Sequence, residues 1–426
     1  MFDLVVYCGF AFLALSCYTL GRYFHDRRQL RRFPSFSVSG ITPLWLMYHS
    51  WRGKRFAAVD KAHEALGPVV RIAPNHVSFS DPSAYKDIYG HGSPILKDDF
   101  YAHIAAGNPS MAQTTSKADH ARKRKNLAHI FSAKEITAME PRVMGIVQKL
   151  CRDIKIKSEG RMIAPTDFHQ VKDGSFDLRP WLNMFSYDAI TAMFWSNTYA
   201  FLDKGNDICP SYDSSGADQA KPDLFSNLPY RPTEKRPVPM PVHEIVAECT
   251  TMMDAGNDTT QTSLTNCMYQ LAANPAKQTK LRNQLLATLP EKEHQPIAHY
   301  AELQKAPYLR ACLDESFRCK PPVAFGLPRR TVGNGAMIAG HFIPADVTVS
   351  CPLYSLHRNP SLFEDPLAFL PERWLPDDED YAPSDEERQN LKILLSAVQP
   401  RREGMYWPQS GVHGTEYCDC GAGGGV

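Results

Sequence analysis

The chain has 426 residues, 43% of them apolar and 22% charged, an ordinary globular balance that excludes wholesale disorder. A formal net charge of +1 lacks the basic excess that a nucleic-acid partner would want, so no such partner is expected. Eleven cysteines without regular spacing, in a chain this long, argue for reduced thiols facing the cytosol rather than a disulfide framework.

Leu4 to Leu20 is a 17-residue run without a charge, entered after Asp3 and left before Arg22. At a rise of about 1.5 Å per residue it covers roughly 25 Å, against a ~30 Å hydrocarbon core. A cleaved signal peptide is the alternative, but no Lys or Arg precedes the run and no small-residue cleavage site follows it. Arg22, Arg27, Arg28, Arg31 and Arg32 come directly after, and the positive-inside rule then leaves the rest of the chain in the cytosol. Residues 1–21 are expected to be a single-pass transmembrane anchor, with membrane lipid as partner. Residues 22–66 read as a linker and entry segment in which Phe33-Pro34-Ser35 closes the basic stretch.

Gly67-Pro68 opens Val69-Val70-Arg71-Ile72, and Asn75 leads into Val77-Ser78-Phe79: two short strands around a turn. From about Ala112 helical patterns dominate. Leu178 to Trp195 carries a broad apolar face, Val242 to Ala273 a much longer helical stretch, and a third helix ends near Lys320, before Pro321-Pro322. Short β-like segments return at Ala336-Met337-Ile338 and Val347-Thr348-Val349-Ser350. Cys209 to Pro241 is too rich in proline for a long helix. Residues 67–390 thus read as the main domain and 391–426, ending in a glycine run, as a disordered tail.

Within the long helix, Ala255-Gly256-Asn257-Asp258-Thr259-Thr260 sets two small residues, an acid and two hydroxyls in an apolar context. Gly and Asp are poor mid-helix choices, tolerated where something approaches the backbone; a neutral kink is the competing explanation. Glu315 and Arg318 stand at i,i+3 on one helical face, a pairing that surface helices contain routinely. Pro371-Glu372-Arg373-Trp374 offers a second Arg that could complete a buried Glu–Arg–Arg network. Upstream, Asp119-His120-Ala121-Arg122-Lys123-Arg124 places His120 and Arg124 at i,i+4, either as anion ligands or as a solvated basic helix start.

The order AGNDTT, then ExxR, then PERW resembles the cytochrome P-450 superfamily of haem-thiolate monooxygenases, and the texture of Gly67 to Tyr89 and of Phe176 to Tyr199 is most like fungal microsomal members. The resemblance runs through roughly residues 1–390. It implies a mainly α fold with a small β-rich subdomain, a haem b cofactor, and oxygen insertion into a small apolar substrate. It further implies NADPH–cytochrome P-450 reductase as electron donor and the endoplasmic reticulum membrane as location, with the catalytic domain cytosolic. In that reading Asp258 and Thr259 serve oxygen activation, while Ala255 and Gly256 adjoin the haem. His120, Arg124 and Arg329 bind its propionates, and Glu315, Arg318 and Arg373 are structural supports.

The sequence departs from the family in two places. No F-x-x-G-x-R-x-C-x-G loop follows Trp374, so the axial cysteine is absent in this frame and the fold is expected to be incomplete. The span Phe201 to Pro241 is short for the two helices that roof the pocket in relatives. Codon arithmetic accounts for the first departure. Met405-Tyr406-Trp407-Pro408, read one base later, gives a forced cysteine and a forced glycine two positions on. The preceding residues then permit Phe, Gly and Arg at the offsets the loop needs. A single-base shift near Gln389 is the account adopted. The alternative is a catalytically inactive, membrane-anchored remnant that binds no haem.

Overall fold

A computed structural model describes residues 2–90, 92–105, 107–128, 130–164, 175–195, 198–206, 240–289 and 297–375, with positions 378, 381, 383–385, 387 and 391. Nearly all of the proline-rich bridge, the tail beyond 391, and with it Cys418 and Cys420, lie outside the described residues.

Helices α1 (Phe2–His25), α2 (Leu44–Trp51) and α3 (Arg55–Leu66) lead into strands β1 (Val69–Ala73) and β2 (His76–Phe79). Helix α4 (Pro82–Tyr89), strand β3 (Leu96–Lys97) and helix α5 (Phe100–Ile104) follow. Then come α6 (Lys117–Leu127), α7 (Ala133–Ala138), α8 (Glu140–Ser158), α9 (Arg179–Trp195) and α10 (Phe201–Lys204). Helices α11 (Val242–Ala273), α12 (Pro275–Thr288), α13 (Tyr300–Leu303) and α14 (Pro307–Cys319) complete the helical run. Strands β4 (Arg329–Arg330), β5 (Ala336–Ile338), β6 (His341–Ile343) and β7 (Thr348–Ser350) and helix α15 (Leu353–Leu356) close it. The architecture is mainly helical with a small sheet region, as the sequence patterns indicate.

Local chemistry sets these boundaries. Asp81 caps α4 by accepting the N–H groups of Ser83 at 2.7 Å and Ala84 at 3.4 Å, with Pro82 in the first turn where no donor is needed. Pro241 and Asn274-Pro275 mark the starts of α11 and α12, and Ser132 caps α7 through Glu135 N–H.

The described residues form two compact units. One holds the residues up to Pro109, Gln113–Lys117 and those from Asp314 on. Its sheet runs β1-β2-β7-β4-β3. Strands β1 and β2 pair antiparallel, with Val69 opposite Phe79, while β2 and β7 run parallel, with His76 opposite Thr348. Every residue of β1 and β2 is buried, and Phe33, Val77, Phe79, Val349 and Phe363 share one apolar core. Strands β5 and β6 make a separate hairpin.

The other unit holds Ser110–Ala112 and Ala118–Leu313. Helix α9 is its centre, packed against both α8 and α11. Trp181, Leu182, Met184, Phe185 and Ala189 supply the buried face.

The single-pass span expected over residues 4–20 needs correction. The segment is helical, as part of α1, yet among the described residues no helix is long and apolar enough to cross a membrane. The uncharged run stops at 17 residues, some way short of a full hydrocarbon core. The side chains of residues 2–6, 8, 9, 11 and 12 lie outside the described set. What α1 does show is exposed apolar surface: Tyr7, Phe10, Leu13, Leu15, Tyr18 and Phe24 all face outward.

Candidate active site

Helix α11 has two dissimilar faces around residues 255–260. The inner face meets α9. A Cβ on Gly256 would stand 2.8 Å from Ile190 Cδ1, so it is the α9 side chain that occupies the space glycine leaves. This refines the sequence reading, in which Ala255 and Gly256 together admitted a cofactor. Asn257, 2% exposed, donates to Asn183 Oδ1 on α9 at 2.9 Å. The Asn257 Oδ1, Thr260 Oγ1 and Gln261 Oε1 atoms on that side are buried without a partner.

The outer face carries Ala255 and Asp258, both exposed, with Thr259 half-buried beside them. Thr259 Oγ1 donates to the Ala255 carbonyl at 2.9 Å, so its hydroxyl rests on its own helix. Asp258 makes no hydrogen bond or ion pair among the described residues. Burial, and secondarily the Asp258 charge, push the Asp254 carboxyl up.

Helix α6 is fastened to the start of α11 by charge. Arg122 bridges Asp119 at 2.6 Å and Glu244 at 2.7 Å. Lys123, 2% exposed, lies 3.6 Å from Glu248 and 3.7 Å from Glu244. Glu248 also accepts the Met111 N–H at 2.6 Å. Burial pushes its carboxyl up to about 7, the Met111 hydrogen bond and Lys123 notwithstanding. His120 and Arg124, the residues singled out from sequence, are half-buried on the same helix. The clasp was missed in the sequence; its signal was Glu244 and Glu248 at i,i+4 opposite a basic run.

Arg329 stands on β4 between two tyrosines, its guanidinium 5.1 Å from the Tyr89 ring and 5.6 Å from the Tyr101 ring. Its Nη1 donates to Tyr101 Oη at 3.2 Å and to the Pro328 carbonyl at 3.1 Å. Tyr89 is itself fixed, donating to Leu327 O at 2.7 Å and accepting from Cys351 N–H at 3.0 Å. Its neighbour Arg330 pairs with Asp99. Among the described residues no carboxylate pairs with Arg329, which leaves a preset cation free for an anionic group.

Glu315, Arg318 and Arg373 come together and are buried at 0%, 2% and 1% exposure. Arg318 donates to both Glu315 oxygens, each at 2.8 Å, in a fork-on-fork pair. Arg373 Nε adds a bond to Oε1 at 3.2 Å, the Leu370 N–H another at 2.9 Å, and Trp374 Nε1 reaches Oε2 at 2.9 Å. The remaining Arg318 donors end on the carbonyls of His357, Pro366 and Ala368. Burial alone would raise the Glu315 carboxyl, but Arg318 and then Arg373 outweigh it and hold it below its ordinary value. A three-membered cluster would carry a surplus positive charge. Arg373 also binds Glu387, whose other oxygen accepts from Tyr381 at 2.6 Å, so two acids balance two bases.

The thiols separate cleanly from this picture. Cys17 and Cys151 are exposed; Cys267, Cys312, Cys319 and Cys351 are buried. Burial pushes Cys249 and Cys267 up to about 11, and Cys319 and Cys351 up to about 12. Burial therefore holds Cys249, Cys267, Cys319 and Cys351 away from the thiolate form. Among the described residues, the unmatched Arg329 cation fits the anionic edge of a haem, while the buried, upward-shifted thiols of Cys249, Cys267, Cys319 and Cys351 do not fit its iron.

Comparisons with known proteins bear on this arrangement. A family model, cytochrome P-450, matches residues 218–391, the stretch that holds AGNDTT, ExxR and PERW. A benzoate 4-monooxygenase of Aspergillus niger is 30% identical over 440 residues, covering 87% of this chain and 83% of that one. A cytochrome P-450 monooxygenase of Hormonema carpetanum is 30% identical over 404 residues, covering 82% and 77%. The tryprostatin B 6-hydroxylase of Aspergillus fumigatus is 26% identical over 396 residues, covering 82% and 67%.

Proposed function

The chain belongs to the cytochrome P-450 family, and on that premise we propose that it descends from a haem-thiolate monooxygenase acting on a small apolar molecule, in fungal secondary metabolism. When bound, haem would supply the activation of dioxygen. The observation that carries the reading is the outer face of α11, where Asp258 and Thr259 stand beside Ala255 without other structural duties. Thr259 Oγ1 can turn from the Ala255 carbonyl to a ligand, and the exposed Asp258 carboxylate can hold a proton for it. His120, Arg124 and Arg329 would neutralise the two propionates. Electrons would come from NADPH–cytochrome P-450 reductase. The exposed apolar surface of α1 supports attachment to the endoplasmic reticulum membrane, with the remainder of the chain cytosolic.

A specific observation favours a second reading of the chain as written. No cysteine loop follows Trp374, and burial pushes the Cys249, Cys267, Cys319 and Cys351 thiols up, so none of these four offers the iron an anionic sulfur. In this frame the product is an inactive membrane-bound remnant; in the shifted frame it is the monooxygenase. No catalytic step is derived through the haem for the chain as written. The coding sequence across residues 388–426, with haem absorbance of the purified chain, tests the choice. Codons that cannot yield the cysteine loop in the shifted frame would remove the monooxygenase reading of the repaired chain.

A further inference from the structure

A crevice of about 200 Å³, partly open to solvent, lies between α3 and the five-stranded sheet. Phe56, Val59, Ile72 and Pro352 give it apolar walls, and Ser78 and Ser350 set two hydroxyls into them. Gly326 packs so tightly on β7 there that a Cβ would stand 2.8 Å from the Cys351 backbone and from Ser350 Cβ. Arg55 lines the same space, its guanidinium 5.3 Å from the Phe325 ring.

This cation has no acid beside it. Among the described residues Arg55 makes no ion pair and no hydrogen bond. The first turn of α3 holds no acidic residue, and Asp60, a turn further on, is set against Arg358 instead. Burial pulls the Arg55 guanidinium down, and the group that opposes this is the Tyr89 phenol, not a carboxylate. Burial raises that phenol well above its ordinary value, and burial and then Arg55 hold the His76 ring down to about 3. Both are therefore neutral near neutral pH. A half-buried charge that nothing on the protein neutralises is costly, and an anion from solution that meets it offsets that cost.

The hydroxyls narrow the choice of anion. Burial keeps His63 neutral, down to about 4, and its Nδ1 lies 3.0 Å from the Gly67 carbonyl, so Nδ1 carries the hydrogen. Its Nε2 then accepts from Ser78 at 2.8 Å, which leaves Ser78 with lone pairs alone and makes that wall unfit for an anion. Ser350 stands 2.7 Å from His76 Nε2, and with the ring hydrogen on Nε2 its own hydroxyl is free to donate. A guanidinium fork and one hydroxyl suit the two oxygens of a carboxylate. The apolar walls suit a compact hydrocarbon body behind it. Ordinary ligand pockets run to ~300–1,000 Å³, so a space this small takes a single ring at most.

We propose that the crevice beside α3 binds a small apolar monocarboxylate, its carboxylate on Arg55 and Ser350 and its hydrocarbon body against Phe56, Val59 and Ile72. The site lies within one unit and needs no haem, so its test stands apart from the reading of α11.

The full chain, with no haem added, is titrated calorimetrically with cyclohexanecarboxylate and, in parallel, with cyclohexanecarboxamide, a neutral molecule of the same shape. The expected result is saturable binding of the acid at one site and roughly tenfold or weaker binding of the amide. Arg55→Gln should weaken the acid by a similar factor while its thermal unfolding midpoint stays or rises, since an unpaired charge has gone. Arg55→Lys should recover only part of the affinity, because an ammonium cannot make the fork. Arg329→Gln should bind the acid as the parent does. Equal affinity for acid and amide overturns the proposal, as does acid binding that survives Arg55→Gln or is lost in Arg329→Gln. A lowered midpoint in Arg55→Gln would show the charge already neutralised within the fold, against the proposal. Absence of acid binding up to millimolar concentrations overturns it as well.

Discussion

The Glu315 network and the middle of α11 both put polar groups into apolar helices, and they treat those groups in opposite ways. Around Glu315 two acids and two bases, a tryptophan N–H and backbone carbonyls meet almost every donor and acceptor. On α11 the outer Asp258 has no hydrogen-bond or ion-pair partner among the described residues, and on the inner side Asn257, Thr260 and Gln261 keep unmatched buried atoms. A buried polar group left unmatched costs about 1–3 kcal/mol. Satisfied clusters hold a fold together; unsatisfied ones in the same kind of helix mark where a ligand or ordered water completes the structure. The first is architecture; the second is the candidate site.

The largest effect that could break this contrast is at Glu315. Glu315→Ala leaves two buried guanidinium groups facing one remaining acid, a loss of about 3–5 kcal/mol out of a typical ~5–15 kcal/mol. Denaturant unfolding is the measurement; a change below about 1 kcal/mol would mean that the four charges do not act as a unit.

Next is Glu248. Its carboxyl lies at about 7 in the folded chain against 4.5 as the ordinary value. Between those values the folded state binds the proton more tightly, so stability falls as pH rises from about 4.5 to 7. The drop is at most about 3 kcal/mol. Glu248→Gln should flatten that slope in unfolding midpoints taken across the window, and an unchanged slope would contradict the burial assigned to this group.

Gly256→Ala sharpens the account of the inner face. The added methyl meets Ile190 Cδ1, the end of a side chain that can move, so the cost is about 1 kcal/mol, at the low end for overpacking. Ile190→Val should cancel most of it in a double-mutant cycle, since it removes the atom in the way. Additive changes would place the glycine's role elsewhere.

The smallest effects belong to the outer face. Asp258→Ala should alter stability by no more than about 0.5 kcal/mol, as exposed groups do, and the half-buried Thr259→Ala by only slightly more. In a frame-repaired enzyme, however, Thr259→Ala should divert electrons from product to peroxide. Full coupling in that variant would remove the role proposed for its hydroxyl.

Much of the fold was legible because its signals are local. The short β-prone runs bounded by Gly67-Pro68 and Asn75 yield β1 and β2, and apolar patterning places α9 and α11 within a residue or two of their observed limits. The Glu315–Arg318–Arg373 cluster was legible from two short motifs. Glu387 and Trp374, which complete it, were not, because nothing in sequence spacing says which acid returns to a buried arginine. The α6–α11 clasp was hidden for a related reason: the basic run drew notice to His120 and Arg124, whereas packing turned Arg122 and Lys123 onto Glu244 and Glu248. Gly256 shows a third limit, since a small residue in a helix signals close approach without naming what approaches. The neighbour there is Ile190.

The proposal at the centre is that this chain keeps the family's scaffold and propionate-side cations but, in this frame, lacks the cysteine loop that would hold iron. Propionate contacts position a haem; they do not ligate its metal. The direct test is the ferrous–carbon monoxide difference spectrum of the purified chain, beside that of a version repaired by one base near codon 389, both expressed with haem supplied. The chain as written should give no thiolate-type band, and the repaired one should give it. A thiolate-type band from the unrepaired chain would contradict the account.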